Sequence, residues 1–255
     1  MTLGLDWLPA TAFSYIILFA RVAAILMLMP ALGEQTIPVR MRLSFALLFT
    51  LVLYPLLSSA IPATSDNLPA MVGLLFHELA IGLILGAVVR LTVMATQVAG
   101  SIVAFQTGLS GALAADPTQA GVQGAIFGSF LSFLGVALIF ATDLHHMALA
   151  AIYDSYMVFA PSDPIMFEDA TQLVIRTVSH TFSIGVQMSA PFIVFGLVFN
   201  LGAGILARLM PALQVYFVLM PANIIVGLLL FAILVSMMMG WYLTAFENHL
   251  AMWRG

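Results

Sequence analysis

Ala99-Gly100-Ser101-Ile102-Val103-Ala104-Phe105-Gln106-Thr107-Gly108-Leu109-Ser110-Gly111, continued by Ala112-Leu113-Ala114-Ala115-Asp116-Pro117-Thr118-Gln119-Ala120-Gly121, is a polar, glycine-rich stretch between long apolar runs. Hydrophobic residues make up 63% of the 255-residue chain and charged residues 7%, with a mean hydropathy of +1.13. Such a composition lies far outside the soluble class and predicts an integral membrane protein. In lipid, irregular polar backbone persists only where protein or water satisfies its hydrogen-bonding groups. The stretch therefore reads as a gate or binding loop. Its glycines supply φ freedom, Asp116-Pro117 sets a turn, and Phe105, Leu109 and Leu113 supply bulk to occlude a lumen.

Outward from this stretch, six apolar segments are expected at about 10–32, 43–61, 70–99, 122–152, 178–207 and 213–246. Several exceed the roughly 18–20 residues that a helix needs to cross a bilayer. The expected fold is all-α: a multi-helix membrane protein with no strand signal. Prolines between the runs mark turns, whereas Pro191 and Pro221 fall inside runs and predict kinks. The N-terminus carries Asp6, has no basic leader, and its apolar run is interrupted by Arg21, so it reads as the first membrane helix rather than a cleaved signal.

All basic residues are arginines, and the net charge is −4. Nucleic acid, which rewards clustered basic residues, is excluded as a partner, and no basic tract marks an anionic-lipid patch. Arg40 and Arg42 lie between segments one and two, and Arg208 between five and six. Acids (Asp66; Asp154, Asp163, Glu168 and Asp169) fill two other connections. The positive-inside rule then places connections 1–2 and 5–6 in the cytoplasm and both termini outside.

Three pairs of small residues predict close helix packing: Gly82/Gly86, Gly124/Gly128 and Ala95/Ala99. Their partner, within the chain or in another subunit, is not legible. Arg21 is an intramembrane ion that needs a partner or a water-filled space. Glu78 and Arg90 share one helix, but twelve residues at about 100° each set them roughly 120° apart, so each needs its own partner elsewhere. His77 beside Glu78 would suit a proton relay or simply the membrane edge. Asp143 and His146 share a helix face while His145 points away, which is too few ligands for a metal site. No cysteine, GxSxG, P-loop or Rossmann fingerprint is present, so catalytic, thiolate and phosphate-cradling chemistry find no support. No cofactor is expected. The sixteen methionines read as apolar filling.

These residues carry a family resemblance. Arg21 is followed by Pro30-Ala31-Leu32-Gly33-Glu34, Pro38 and Arg42. The central run goes from Ala99-Gly100 through Gln106-Thr107-Gly108-Leu109-Ser110 to Asp116-Pro117. Phe140 then precedes Asp143-Leu144-His145-His146, with leucine where glycine is usual, and Pro191, Asn200-Leu201-Gly202, Arg208, Pro211 and Pro221 close the pattern. Over nearly its whole length the chain resembles the FliR/SctT family, single-copy inner-membrane components of flagellar and virulence type III export gates.

The resemblance implies a fusion of a FliP-like part, residues 1–175, with a FliQ-like C-terminal hairpin, residues 176–255. It implies helices bent into hairpins, assembly with FliP and FliQ into a pore for unfolded flagellar proteins, and FlhB at the cytoplasmic face. The central loop would plug the closed pore through Phe105, Gln106, Gly108, Leu109, Ser110, Gly111, Leu113, Asp116 and Pro117. Relatives carry bulky aromatics where this chain has Gly111 and Ala114, so Phe105, Leu109 and Leu113 or partner side chains would make the seal here. Arg21, Glu34, Glu78, Arg90, Asp143, His146 and Arg208 would be intramembrane or intersubunit polar contacts. A reading from another class is an ion-coupled transporter acting alone, built on Arg21, Glu78, Arg90 and the broken glycine stretch.

Overall fold

The computed structural model describes residues 8–30, 32–34, 37–62, 67–110, 125–161, 163, 167–210 and 214–251. The apolar runs form α1 (Leu8–Leu28), α2 (Val39–Leu57) with a 3-10 turn (Ser58–Ala60), α3 (Leu68–Gln106), α4 (Ala125–Ala141), α5 (Leu144–Val158), α6 (Phe167–Leu209) and α7 (Val215–Ala251). Among the described residues there is no strand, as expected. Five helices are long and apolar enough to cross a membrane, or six if α4 and α5 count as one broken span.

Local chemistry explains most boundaries. Extended Pro38 (φ −54°, ψ 137°) precedes α2, where a missing N–H costs nothing. α6 opens on Glu168 and Asp169 and closes on Arg208, matching the helix dipole at both ends. Pro191 and Pro221 lie inside α6 and α7, which continue through them.

Three sequence expectations need correction. The irregular stretch was expected to begin at Gly100, but α3 continues to Gln106. Gly100 is the one glycine there before Gly108, with no proline, and a helix lets the intervening apolar side chains pack. The single segment expected over 122–152 is broken at Thr142–Asp143, where the chain bends sharply. Asp143 takes a left-handed backbone there, with φ 58°, which terminates α4 and caps α5. Segment five starts earlier than expected, at Phe167, so α6 runs unbroken through residue 175.

α3, α6 and α7 have 39, 43 and 37 residues. At 1.5 Å per residue they are about 55–65 Å long, roughly twice the hydrocarbon thickness of a bilayer.

The chain divides into two compact units. The first comprises Met1–Thr92, Phe140–Val178 and Phe246–Gly255. Its core joins Ile17, Leu18, Val22 and Ile25 of α1 to Leu57 of α2, Leu85 of α3 and Ile152 of α5. Tyr15 ties α1 to α2 by donating to the Leu47 carbonyl at 2.8 Å. The second unit comprises Val93–Ile139 and Ser179–Ala245. Its core holds Val103, Leu131, Met188, Phe192, Met238 and Tyr242, with Phe231 against Phe127, Phe130 and Phe192. Met188 and Met238 are thus apolar filling.

Candidate functional site: a buried charge and the root of the central loop

In the first unit, Arg21 lies in the middle of α1 and is wholly buried. Its Nη2 donates to Glu78 Oε1 of α3 at 2.7 Å. Its Nη1 donates to the carbonyls of Ser155 (3.1 Å) and Phe159 (2.8 Å) at the C-terminal end of α5. The guanidinium also lies 4.1 Å from the ring centre of Tyr156. One cation therefore meets a carboxylate, two carbonyls at a helix end (that of Ser155 also accepting the Phe159 N–H), and an aromatic face.

Approach of α1 to α3 depends on Gly82, one turn beyond Glu78. A Cβ there would meet the Arg21 carbonyl at 2.7 Å and the Ala24 Cβ at 2.8 Å. A Cβ on Gly86 would press on Leu28 at 2.9 Å. The Gly82/Gly86 pair is thus used within the chain. Four polar atoms remain without hydrogen bonds in and beside this cluster: Arg21 Nε, Glu78 Oε2, and both nitrogens of His77. His77 Nδ1 lies 3.5 Å from Glu78 Oε1.

Arg90 pairs elsewhere, as its angular separation from Glu78 requires. Its Nη1 meets Glu34 Oε1 at 2.6 Å, with both side chains partly exposed (42% and 35%). Arg42 Nη1 donates to the Gly33 carbonyl at 3.2 Å, so two arginines hold the segment after α1. Gly33 is folded so closely onto Met27 and Met29 that no Cβ would fit. Arg208 is exposed in the last turn of α6.

His145 was expected to point away from Asp143 and His146, and this is corrected. The ligand-capable atoms of all three lie within 4.8 Å of one another. Left-handed Asp143 brings Oδ1 to 3.5 Å from His146 Nδ1 at the first turn of α5, where the His145 and His146 ring centres lie 4.0 Å apart with planes tilted by 38°.

In the second unit, α3 ends at Gln106, and the chain is helical again at Leu109 and Ser110, the last described residues before 125. Gly108 has φ 72°, a left-handed helix stop that favours glycine. Ser110 donates back to the Ala104 carbonyl at 3.3 Å. The last residues of α3 fit into notches on two other helices. The Gln106 side chain occupies the space a side chain on Gly196 of α6 would need, and Thr107 fills that of Gly227 on α7. Asn223 of α7 points Nδ2 at the Gln106 carbonyl at 3.5 Å, and a Cβ on Gly108 would meet that Nδ2 at 2.8 Å. Phe105, by contrast, is 72% exposed. Leu109 and Ser110 are half-buried. Gly111, Leu113, Asp116 and Pro117 lie outside the described residues.

The other small pairs also pack within this unit. A Cβ on Gly100 would collide with the Gly128 backbone, and one on Gly185 would meet the Ala95 carbonyl at 3.0 Å. Gly124 lies outside the described residues. Sequence reasoning missed Gly196, Asn223 and Gly227. Their only signal is a glycine or amide inside an otherwise apolar run.

Residues 12–249 match the family described as bacterial export proteins, family 1, a span that includes the buried pair and the loop root. The chain belongs to this family. Within it, the chain is 45% identical over 230 residues to the flagellar biosynthetic protein FliR of Caulobacter vibrioides, covering 89% of this chain and 91% of that protein. It is 27% identical over 241 residues to FliR of Bacillus subtilis (91% and 88% covered). The Yop proteins translocation protein T of Yersinia pestis is 24% identical over 237 residues (92% and 90% covered). The export-protein match and the apolar helices together make this a multi-pass membrane protein of a bacterial export family.

Proposed function

We propose that this chain is a subunit of the flagellar type III export gate in the bacterial inner membrane. With FliP and FliQ it forms a pore for unfolded flagellar proteins, and FlhB lies against the cytoplasmic face. Residues 1–175 are the FliP-like part, and 176–255 are the FliQ-like hairpin. The segment from Gln106 to Pro117 plugs the closed pore. Catalysis plays no part, and export energy comes from other components and the proton gradient.

The observation that carries the plug reading is the rooting of Gln106, Thr107 and Gly108 against Gly196, Asn223 and Gly227. A loop that closes a pore needs one rigid end, and this junction supplies it. Names of the relatives support the flagellar assignment. Pairing of Arg21 with Glu78 and of Arg90 with Glu34 weighs against a self-contained transporter, because those charges are already spoken for.

Deletion of Gly108–Asp116 tests the plug. Cells carrying it are expected to leak small ions while the complex still assembles; an unchanged membrane permeability would refute the assignment. Native mass spectrometry of the tagged chain tests the partners, and a partner-free monomer would refute the gate.

A further inference from the structure

Within the first unit, a cavity of about 690 Å³ opens between α3, the end of α5 and the start of α6. Its apolar wall is formed by Ile81, Ile84 and Leu85 of α3, Phe159 after α5, and Leu173 of α6. Asp163, Asp169 and Arg176 line it as well, as does His77. Asp169 and Arg176 are seven residues apart on α6, which puts them on one helix face about 10 Å apart.

The cavity is partly open, and its apolar wall favours a hydrocarbon chain, whereas carboxylates beside a guanidinium do not suit a plain hydrocarbon. His77 contributes to the wall as well, although its ring nitrogens are buried away from the opening. The matching occupant has an apolar tail, hydrogen-bonding oxygens, and both a positive and a negative charge.

We propose that this cavity binds one phospholipid with a zwitterionic, primary-ammonium headgroup. Its ammonium meets Asp163 and Asp169, and its phosphate meets Arg176. One acyl chain lies along Ile81, Ile84, Leu85 and Leu173. An anionic lipid would place its net charge against two carboxylates with a single arginine in return. A choline headgroup would lose the N–H donors that those carboxylates accept from.

The test uses the intact complex containing this chain, purified in mild detergent and analysed by native mass spectrometry with identification of the retained lipid. Phosphatidylethanolamine is the probe, offered in nanodiscs against phosphatidylglycerol and phosphatidylcholine at equal mole fraction. One phosphatidylethanolamine per copy of this chain is expected to survive delipidation. Loss of the charge-assisted contacts in D169N/R176Q is expected to reduce its retention about tenfold. Ile84→Trp, which fills the apolar wall, is expected to expel it while leaving the headgroup residues intact. Preferential retention of phosphatidylglycerol, retention unaffected by D169N/R176Q, or a cavity filled by a partner subunit with no lipid would each overturn the proposal. The proposal does not depend on the plug reading.

Discussion

Arg21 of α1 and Glu78 of α3, 57 residues apart in sequence, meet at 2.7 Å with neither side chain exposed. Desolvation of both charges makes this pair expensive to break and a poor source of net stability. Its role is to set where α1, α3 and the end of α5 cross.

Removing one member leaves the other buried without its counter-charge. Glu78→Ala is expected to destabilise the first unit by about 3–5 kcal/mol, read as an early loss of monodisperse protein on heating in detergent. The double variant Arg21→Met/Glu78→Leu is expected to be more stable than Arg21→Met alone, because no carboxylate is left unpaired. Equal losses in the two would show that packing, not charge, dominates.

The Arg90–Glu34 pair provides the contrast. Both side chains are partly exposed, so water screens them. Glu34→Ala is expected to change stability by no more than about 1 kcal/mol, with a difference that shrinks in high salt. A loss as large as that of Glu78→Ala would mean that this pair is desolvated in the assembled complex.

Glycines divide into notches and spectators. Gly100→Ala and Gly82→Ala would each place a methyl group against backbone of a neighbouring helix, and both are expected to lower thermal stability sharply. Gly73→Ala and Gly240→Ala meet nothing within 4 Å. They are expected to be neutral or to stabilise by up to about 1 kcal/mol through helix propensity. A thermal-shift series of the four variants checks the ranking.

At the loop root, Gly108→Ala forces a side chain into left-handed backbone at a cost of about 1–2 kcal/mol and presses on Asn223. Under the plug reading, Gly108→Ala and Gly227→Val are expected to raise ion leakage while assembly persists. If the loop deletion leaks and these variants do not, the plug stands and the root is passive. Single-channel conductance of the reconstituted complex separates the two cases.

Much of this was legible before any coordinates. Spacing alone required Glu78 and Arg90 to find separate partners, and they do. The helical termination at Gly108 follows from a glycine after a long apolar run. Other features depended on distant chain. Gly100–Gln106 looks like loop by composition, yet it is helical because Gly128, Gly196 and Gly227 offer it close-packed surfaces. The break at Thr142–Asp143 falls at a short polar patch (Asp143, His145 and His146) inside a long apolar run, and its left-handed residue is an aspartate rather than a glycine.

The amino-acid sequence by itself determined the membrane class, the helical character and the export family. Hydropathy and helix length are sums over neighbouring residues and need no knowledge of the fold. Only the tertiary structure decided that Arg21 serves Glu78 and the end of α5, that Arg90 serves Glu34, and that Gln106 and Thr107 at the end of α3 fit two glycine notches. A buried charge or a glycine announces that a close partner must exist. Which partner it is depends on how the helices cross, and that is settled by packing between residues far apart in the chain.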